Sequence, residues 1–352
     1  MQQLHATTKK YSTARKLRAT LAITLGISAL FSSVDVLACA ACGCTLSKDW
    51  ESQGISGKPG FTADISYDYL NQNKQRYGTS SASSSLIVSQ YAAGQEVEAY
   101  TKTNTVTASL IYNADTWGVT LSIPYVSRNH GTYGAGTAGA TAVDATALTT
   151  SSNSGIGDVK IVGRYNGFSE DQSSGLIVGI KLPTGSTSNT FSDGSPLDAG
   201  LQIGAGSTDI ILGGFTTGTI NTYGWFVQAT AQHAISAKTL NGAEYRPGDA
   251  YVLNTGIRYA GFGAKISPML QLNIIKRQAD TDNGTGANVP LDPVTNVPVS
   301  GGTLAYLAPG ISVRVGGGAS VYGFVQIPIY QNVNSLQLTP SYTATVGVRQ
   351  SF

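Results

Sequence analysis

The residues with the clearest chemistry are three cysteines near the N-terminus, in the stretch ACAACGCTLSKDW. Cys39, Cys42 and Cys44 follow the spacing Cys-x-x-Cys-x-Cys. Thiolates this close together are soft ligands that suit Cu(I) or Zn(II). In an oxidising compartment, two of them would instead form a disulfide and leave one odd thiol. Because Val36-Leu37-Ala38 before Cys39 is close to a lipobox, lipidation of Cys39 is a third interpretation.

Residues suited to catalysis are sparse in the rest of the chain. Beyond the N-terminal leader the histidines are His130 and His233, and the sequence contains no Gly-x-Ser-x-Gly motif and no His-carboxylate spacing of a metallohydrolase. An outer-membrane phospholipase would need Ser and His together at a lipid-facing strand end. His233 is the one candidate base, and we interpret it as a polar interfacial residue. The sequence therefore predicts that the protein is not an enzyme.

The cysteines directly follow an export signal. Basic residues between Lys9 and Arg18 precede the apolar run TLAITLGISALF, and VLACA then offers small residues for cleavage. We predict a signal peptide at 1–38, a periplasmic Cys-containing segment at 39–59 and one further domain at 60–352. The mature protein is therefore expected outside the cytoplasm.

The composition narrows the class of that domain. Charged residues make up 12% of the chain and the net charge is +2, whereas soluble domains average about 25% charged residues. Past the leader, no apolar run approaches the roughly 20 residues of a spanning helix. The 42 glycines and 18 tyrosines suit strands and turns. The nearly balanced charge gives no reason to expect nucleic acid as a partner.

Alternation of apolar and polar residues defines about twelve strands. The first, GFTADISYDY (Gly60 to Tyr69), places apolar residues at every second position, and the last, YTATVGVRQSF (Tyr342 to Phe352), does the same. Short connections such as NADT and GGG alternate with long Gly-, Ser- and Thr-rich stretches such as 71–98 and 331–340. The sequence predicts an all-β fold, an antiparallel transmembrane β-barrel with short periplasmic turns and long extracellular loops.

Aromatic residues near strand ends support a lipid-exposed outer face. Trp117 and Tyr125 bracket aliphatic residues in the third strand, as expected for two interfacial girdles. The last strand must pair with the first, because an open edge in lipid leaves backbone groups unsatisfied. Tyr342 and the terminal Phe352 resemble the signal read by the bacterial barrel-assembly machinery. These features predict a Gram-negative outer-membrane protein whose partners include outer-membrane lipid and that machinery.

The polar face of the same strands is predicted to line the lumen. Strand parity assigns to it the charged residues Asp64, Asp68, Arg128, Asp158, Lys160, Arg164, Lys181, Arg258, Lys265, Arg314 and Arg349. Eight of these eleven are basic, which favours anions and carboxylate-bearing solutes in an open lumen. The alternative is that the charges pair across a closed lumen.

Several stretches resemble a known family. GIGDVKIVGRY, GLIVGIKLPTGS, LQIGAGSTDI and YLAPGISV are similar, in order and spacing, to the outer-membrane family named for the MetA pathway of phenol degradation. The resemblance implies a barrel that passes small, often aromatic, compounds. The positions that match are Gly157, Asp158, Pro183, Thr184, Gly185, Gly206 and Asp209. Physically, we interpret these residues as turn and strand-end residues.

Together, these patterns predict a channel for passive transport of small hydrophilic or aromatic, anionic solutes. The alternative function is a non-conducting barrel that anchors or seals a periplasmic metal or electron-transfer assembly through its Cys segment. No cofactor is expected, apart from Cu or Zn if the cysteines bind metal.

Overall fold

The computed structural model describes Leu46, Lys48, Trp50, Gln53 and residues 59–352 apart from 135, 264, 285 and 286. The predicted signal peptide and Cys39, Cys42 and Cys44 lie outside the described residues. None of the helices in the described part of the chain is long and apolar enough to cross a membrane.

The described chain is built mainly of strands. In chain order they are β1 (Gly60–Gly78), β2 (Ser80–Ser81), β3 (Val97–Asn113), β4 (Trp117–Tyr133), β5 (Leu148–Ile156), β6 (Val159–Tyr165), β7 (Ser174–Leu182), β8 (Asp209–Ile220), β9 (Tyr223–Ala234), β10 (Lys238–Leu240), β11 (Ala243–Tyr245), β12 (Ala250–Tyr259), β13 (Ile266–Arg277), β14 (Gly302–Gly316) and β15 (Ala319–Ser351). One α-helix, α1 (Ser84–Ala92), and 3-10 turns at Ala145–Ala147 and Ala199–Leu201 interrupt the loops.

The strands form a closed antiparallel barrel. Neighbours follow the order β15, β14, β13, β12, β9, β8, β7, β6, β4, β3 and β1, and β15 pairs with β1 to close the ring. β5 continues the wall above β6, since both pair with β4. The prediction that the last strand pairs with the first is therefore confirmed. β10 and β11 form a separate hairpin.

The long element β15 crosses the wall twice. Ala319 pairs with Gly316 at the end of β14, Val333 lies opposite both Gly302 and Gly78, and Ser351 lies opposite Thr62 at the start of β1. The chain thus runs up along β14, reverses, and returns along β1. With this return counted, the described wall is crossed about twelve times, as the alternation predicts.

The two faces of the wall differ as predicted. In β1, Phe61, Ile65 and Tyr67 are exposed on the outside, whereas Asp64 and Asp68 are buried inside. The apolar outer face would contact lipid, and its aromatic rings adjoin one another at the turn end of the barrel, where Phe61–Tyr112, Tyr112–Trp117 and Tyr223–Tyr259 centroids lie 5.0, 5.4 and 5.1 Å apart. This pattern is that of an outer-membrane barrel.

Strands at the loop end are longer than the alternation predicts. β1 continues past Tyr69 to Gly78, and the stretch 331–340, expected to be a loop, is part of β15. Backbone pairing persists there, for example between Lys74 and Thr339. Outside the membrane neither face needs to be apolar, so the period-two signal fades while the ladder continues. Helix α1, capped by the Ser83 side chain, was not predicted.

The long loops pack against one another at the loop end. One buried cluster joins Tyr91 of α1 with Val97 and Leu336, and another joins Ala199, Leu240, Tyr245 and Val289. These contacts bury apolar side chains from loops that are distant in sequence. The loop end is therefore a packed layer above the strands.

Candidate functional site

Described residues of the segment before the first strand lie in the lumen. Trp50 is 3% exposed and packs edge-on against Tyr322 of β15, with ring centroids 4.8 Å apart, and at 6.1 Å from Phe324. Leu46 belongs to the same buried cluster, together with Met269 of β13. The lumen-facing aromatic residues of β15 thus hold the N-terminal segment inside the barrel.

Lys48 of this segment contacts β1, the strand that pairs with the end of β15. Its Nζ atom donates to Asp68 Oδ2 at 2.7 Å and to Ser66 Oγ at 2.9 Å. The other Asp68 oxygen accepts from Thr345 at 2.6 Å. Sequence reasoning missed Lys48 and Trp50, because the period-two argument applies only within strands. The four described residues from Leu46 to Gln53 lie in the predicted 39–59 segment, whose boundaries remain a prediction.

The residues of the GIGD and LPTG stretches meet in one polar junction on the inner face. Asp158, between β5 and β6, accepts hydrogen bonds from the backbone N–H groups of Gly185 (3.0 Å) and Ala205 (2.9 Å). Lys181 lies between two carboxylates, 3.4 Å from Asp158 and 2.9 Å from Asp209. The junction therefore ties the end of β7 and the start of β8 to the β5–β6 connection.

Close backbone contact completes the junction. Thr184 donates from its hydroxyl to the Gly157 carbonyl at 2.7 Å and accepts from the Val159 N–H at 3.0 Å. A Cβ atom at Gly185 would lie 2.5 Å from the Cα atom of Gly204, so this approach requires glycine. Gly206 has a φ of +68°, which also favours glycine. Local chain geometry thus accounts for these motif positions.

Lys160 lies where three lumen cavities adjoin. Their volumes are about 380, 320 and 230 Å³, and each is lined by this lysine. Arg128 lines two of the cavities, but its guanidinium is occupied by Thr103 and by the carbonyls of Gly200 and Gln202. Within the part of the chain that the structure describes, Lys160 has no hydrogen-bond or ion-pair partner.

Five other predicted lumen residues lie at the turn end of the barrel, where strands end or begin. Each is within two residues of a strand end; they are Arg164, Arg258, Lys265, Arg314 and Arg349. Arg164 donates to Asn113 Oδ1 at 2.7 Å, and Arg258 repels the charge of Arg314. Asp64 lies opposite Arg349 and accepts one bifurcated hydrogen bond from the Tyr322 hydroxyl, whose oxygen is 2.9 and 3.1 Å from the two carboxylate oxygens. Five basic residues thus lie near the strand ends at the turn end.

An acidic cavity at the loop end escaped sequence reasoning. Glu96, Glu98 and Asp198, with Asp280 and Gln337, line a small space of about 60 Å³ beneath the packed loops. Burial, together with repulsion from Glu96 and Glu98, raises the pKa of Asp198 to about 8. Burial also raises the pKa of Glu96. These residues come from separate loops and a strand start, so no sequence spacing marks them.

His233, the candidate base, faces outward with a 60% exposed side chain. Its Nδ1 atom lies 2.7 Å from Asp249 Oδ1. Among the described residues, no Ser or Thr hydroxyl hydrogen-bonds to its ring. In the same part of the chain, no group of three or more His, Cys, Asp or Glu side chains is arranged to hold a metal ion.

The fold of the chain is similar to that of a solved outer-membrane protein. No family model matches the chain, and no curated protein matches it. The crystal structure of the COG4313 outer membrane channel from Pseudomonas putida F1 is similar, with a TM-score of 0.56 and 14% identity over 84% of this chain and 97% of that one. A TodX deltaS2S3 mutant, a monoaromatic hydrocarbon channel, has a TM-score of 0.44 and 10% identity over 84% and 91% of the two chains. The KdgM porin has a TM-score of 0.36 and 11% identity over 82% and 99%.

At these identities the similarity shows the fold alone. The chain is an antiparallel β-barrel of the bacterial outer membrane, with a lumen that contains part of its own N-terminal segment. The family named for the MetA pathway is not confirmed.

Proposed function

We propose that the barrel is a passive channel for small hydrophilic or aromatic, anionic solutes. The observation that carries the proposal is the distribution of charge inside the wall. Asp64, Asp68, Asp158 and Asp209 all accept hydrogen bonds from protein groups, whereas Lys160 faces open lumen space. A lumen whose carboxylates are occupied by protein groups and whose Lys160 ammonium group is available favours anions.

The basic residues at the turn end extend this preference to the periplasmic mouth. Arg258 and Arg314 have no hydrogen-bond or ion-pair partner within the described chain. Positive charge at one end of a narrow pore raises the local concentration of anions. The similarity to a solved outer membrane channel supports the proposal that the barrel is a channel. The proposed class of solute rests on the charges alone.

The closing strand also supports the proposed partners, outer-membrane lipid and the barrel-assembly machinery. Tyr342 is exposed on the outer face, and Phe352, 78% exposed, donates its backbone N–H to the Phe61 carbonyl at 2.9 Å. The C-terminal residue is therefore both anchored to the first strand and accessible.

The test of the channel proposal is ion selectivity of the refolded mature protein in planar bilayers under a salt gradient. Replacing Arg164, Arg258 and Arg314 by Gln should shift the reversal potential toward that of a non-selective pore. Lys102→Gln is the matched control, because Lys102 lies on the exposed face of β3. An unchanged reversal potential in the triple variant would refute the assignment.

A second function is favoured by the position of the N-terminal segment. Trp50 and Lys48 are held in the lumen shortly after the three cysteines, and we propose as the alternative that the barrel anchors a periplasmic metal or electron-transfer assembly. This function predicts an electrically silent barrel that binds Cu(I) or Zn(II) stoichiometrically. Metal analysis of the mature protein and of the Cys39, Cys42 and Cys44 triple Ser variant tests it, since steady conductance without bound metal would contradict it.

A further inference from the structure

One lumen cavity beside Lys160 has a lining of charged, neutral polar and apolar residues. Its volume of about 380 Å³ lies within the range of roughly 300–1,000 Å³ typical of small-molecule sites. Residues Leu46 and Lys48 of the N-terminal segment form one side of it, and residues of β1, β3, β4 and the β5–β6 region form the others.

The charges around this cavity do not balance. Three cations line it, Lys48, Arg128 and Lys160, against two carboxylates, Asp68 and Asp158. Lys48 pairs with Asp68, and Asp158 pairs with Lys181, which lies outside this lining. One positive charge is therefore in excess.

The excess positive charge is that of the Lys160 ammonium group. Lys160 has no partner within the described part of the chain, and its side chain is exposed to the cavity. The Asp158 oxygens are already occupied by the backbone N–H groups of Gly185 and Ala205 and by Lys181. An entering anion would thus find an ammonium group that no protein carboxylate neutralises by direct contact.

The cavity also offers apolar surface close to this cation. Leu46, Leu70 and Val126 are buried side chains that line the cavity, and Pro124 of β4 also lines it. Threonine hydroxyls on β3 supply neutral hydrogen-bonding groups. A site with one available cation, neutral donors and an apolar wall suits a carboxylate on a small apolar body better than it suits a fully hydrated inorganic anion.

We infer that this cavity binds small carboxylates with an apolar body, that Lys160 contacts the carboxylate, and that Leu46 of the N-terminal segment forms part of the apolar wall. The inference rests on the proposed function, since it assigns a solute class to the same lumen. It gives the N-terminal segment a part in solute binding in addition to its position inside the barrel.

Equilibrium binding of benzoate to the refolded mature barrel in detergent tests the inference. Isothermal titration calorimetry should give a dissociation constant for benzoate that rises about ten- to one-hundredfold in Lys160→Gln, because a charge-assisted hydrogen bond is lost. Lys160→Arg should restore most of the affinity. Lys102→Gln, on the outer face, should leave it unchanged.

Two further probes separate the head group from the apolar body. Benzamide, which is neutral, should bind more weakly than benzoate and should be insensitive to Lys160→Gln. Leu46→Ala should weaken benzoate and benzamide alike, by roughly three- to tenfold, because both lose apolar contact. Inorganic phosphate should bind more weakly than benzoate.

Each contrary result overturns a stated part. Wild-type protein that does not bind benzoate, or Lys160→Gln that binds it normally, overturns the site. An unchanged affinity in Leu46→Ala overturns the role of the segment, and phosphate binding as tight as benzoate binding overturns the apolar-body requirement. Conductance is measured on the same preparations, so a conducting barrel without benzoate binding refutes only this inference. A silent barrel that binds benzoate refutes only the channel.

Discussion

Replacing Trp50 by alanine removes a buried aromatic contact between the N-terminal segment and β15. An aromatic side chain buries roughly 150–250 Å², which at about 25 cal/mol per Å² corresponds to about 4–6 kcal/mol as an upper value. Substitution of large aromatic residues in packed sites costs about 3–5 kcal/mol. Since Trp50 is 3% exposed and meets both Tyr322 and Phe324, we take about 3 kcal/mol, which lowers the ratio of docked to undocked segment by more than about 100-fold.

The assay is single-channel recording of the refolded mature protein. If the docked segment narrows the lumen, Trp50→Ala should show a larger conductance or longer openings than the wild type. Trp117→Ala is the control, because Trp117 is exposed on the outer face, where its ring packs against Tyr112. Conductance and open time that equal those of the wild type in Trp50→Ala would refute the reasoning, provided that the variant retains heat-modifiable migration as a folded barrel.

Two further predictions concern the polar junction and the loop layer. Gly185→Ala should lower the midpoint temperature of heat modification, because its Cβ atom would lie 2.5 Å from the Gly204 backbone and overpacking costs about 1–3 kcal/mol. Gly155→Ala is the control, because its Cβ atom would meet only a side chain at 4.0 Å. Equal midpoints for the two variants would contradict the close approach of Gly185 and Gly204. The packed loop layer should lose stability as pH rises from about 4 to about 8. An unfolded Asp loses its proton near pH 4, whereas the raised pKa of Asp198 keeps its carboxyl protonated in the folded state up to about pH 8. Limited proteolysis should therefore cut the loops faster at pH 9 than at pH 6. Asp198→Asn should reduce this pH dependence, and it should also lower the raised pKa of Glu96. Equal cleavage rates of the wild type at the two pH values would contradict the prediction.

The wall of the barrel could be predicted from the sequence because lipid imposes a strict rule on each spanning strand. Phe61, Ile65 and Asp64 fall on the faces that alternation assigns to them, and Val348 and Arg349 do so at the other end of the chain. Closure of the ring followed from the same physics, since an unpaired edge in lipid is costly.

The interior could not be predicted in the same way. Lys48 and Trp50 lie outside any strand, so neither has a parity, and their contacts with Asp68 and Tyr322 depend on the path of the chain into the lumen. The motif residue Asp158 was interpreted as a strand-end residue, yet its hydrogen bonds to distant loop backbone depend on loop folding that leaves no periodic signal.

The most direct test of the central proposal is the reversal potential of the wild-type barrel in a planar bilayer with a salt gradient across it. The account predicts steady conductance with a reversal potential of the sign that marks anion preference, because Lys160 faces open lumen space and five basic residues lie near the strand ends at the turn end. Cation preference, or no conductance from a correctly folded barrel, would contradict it.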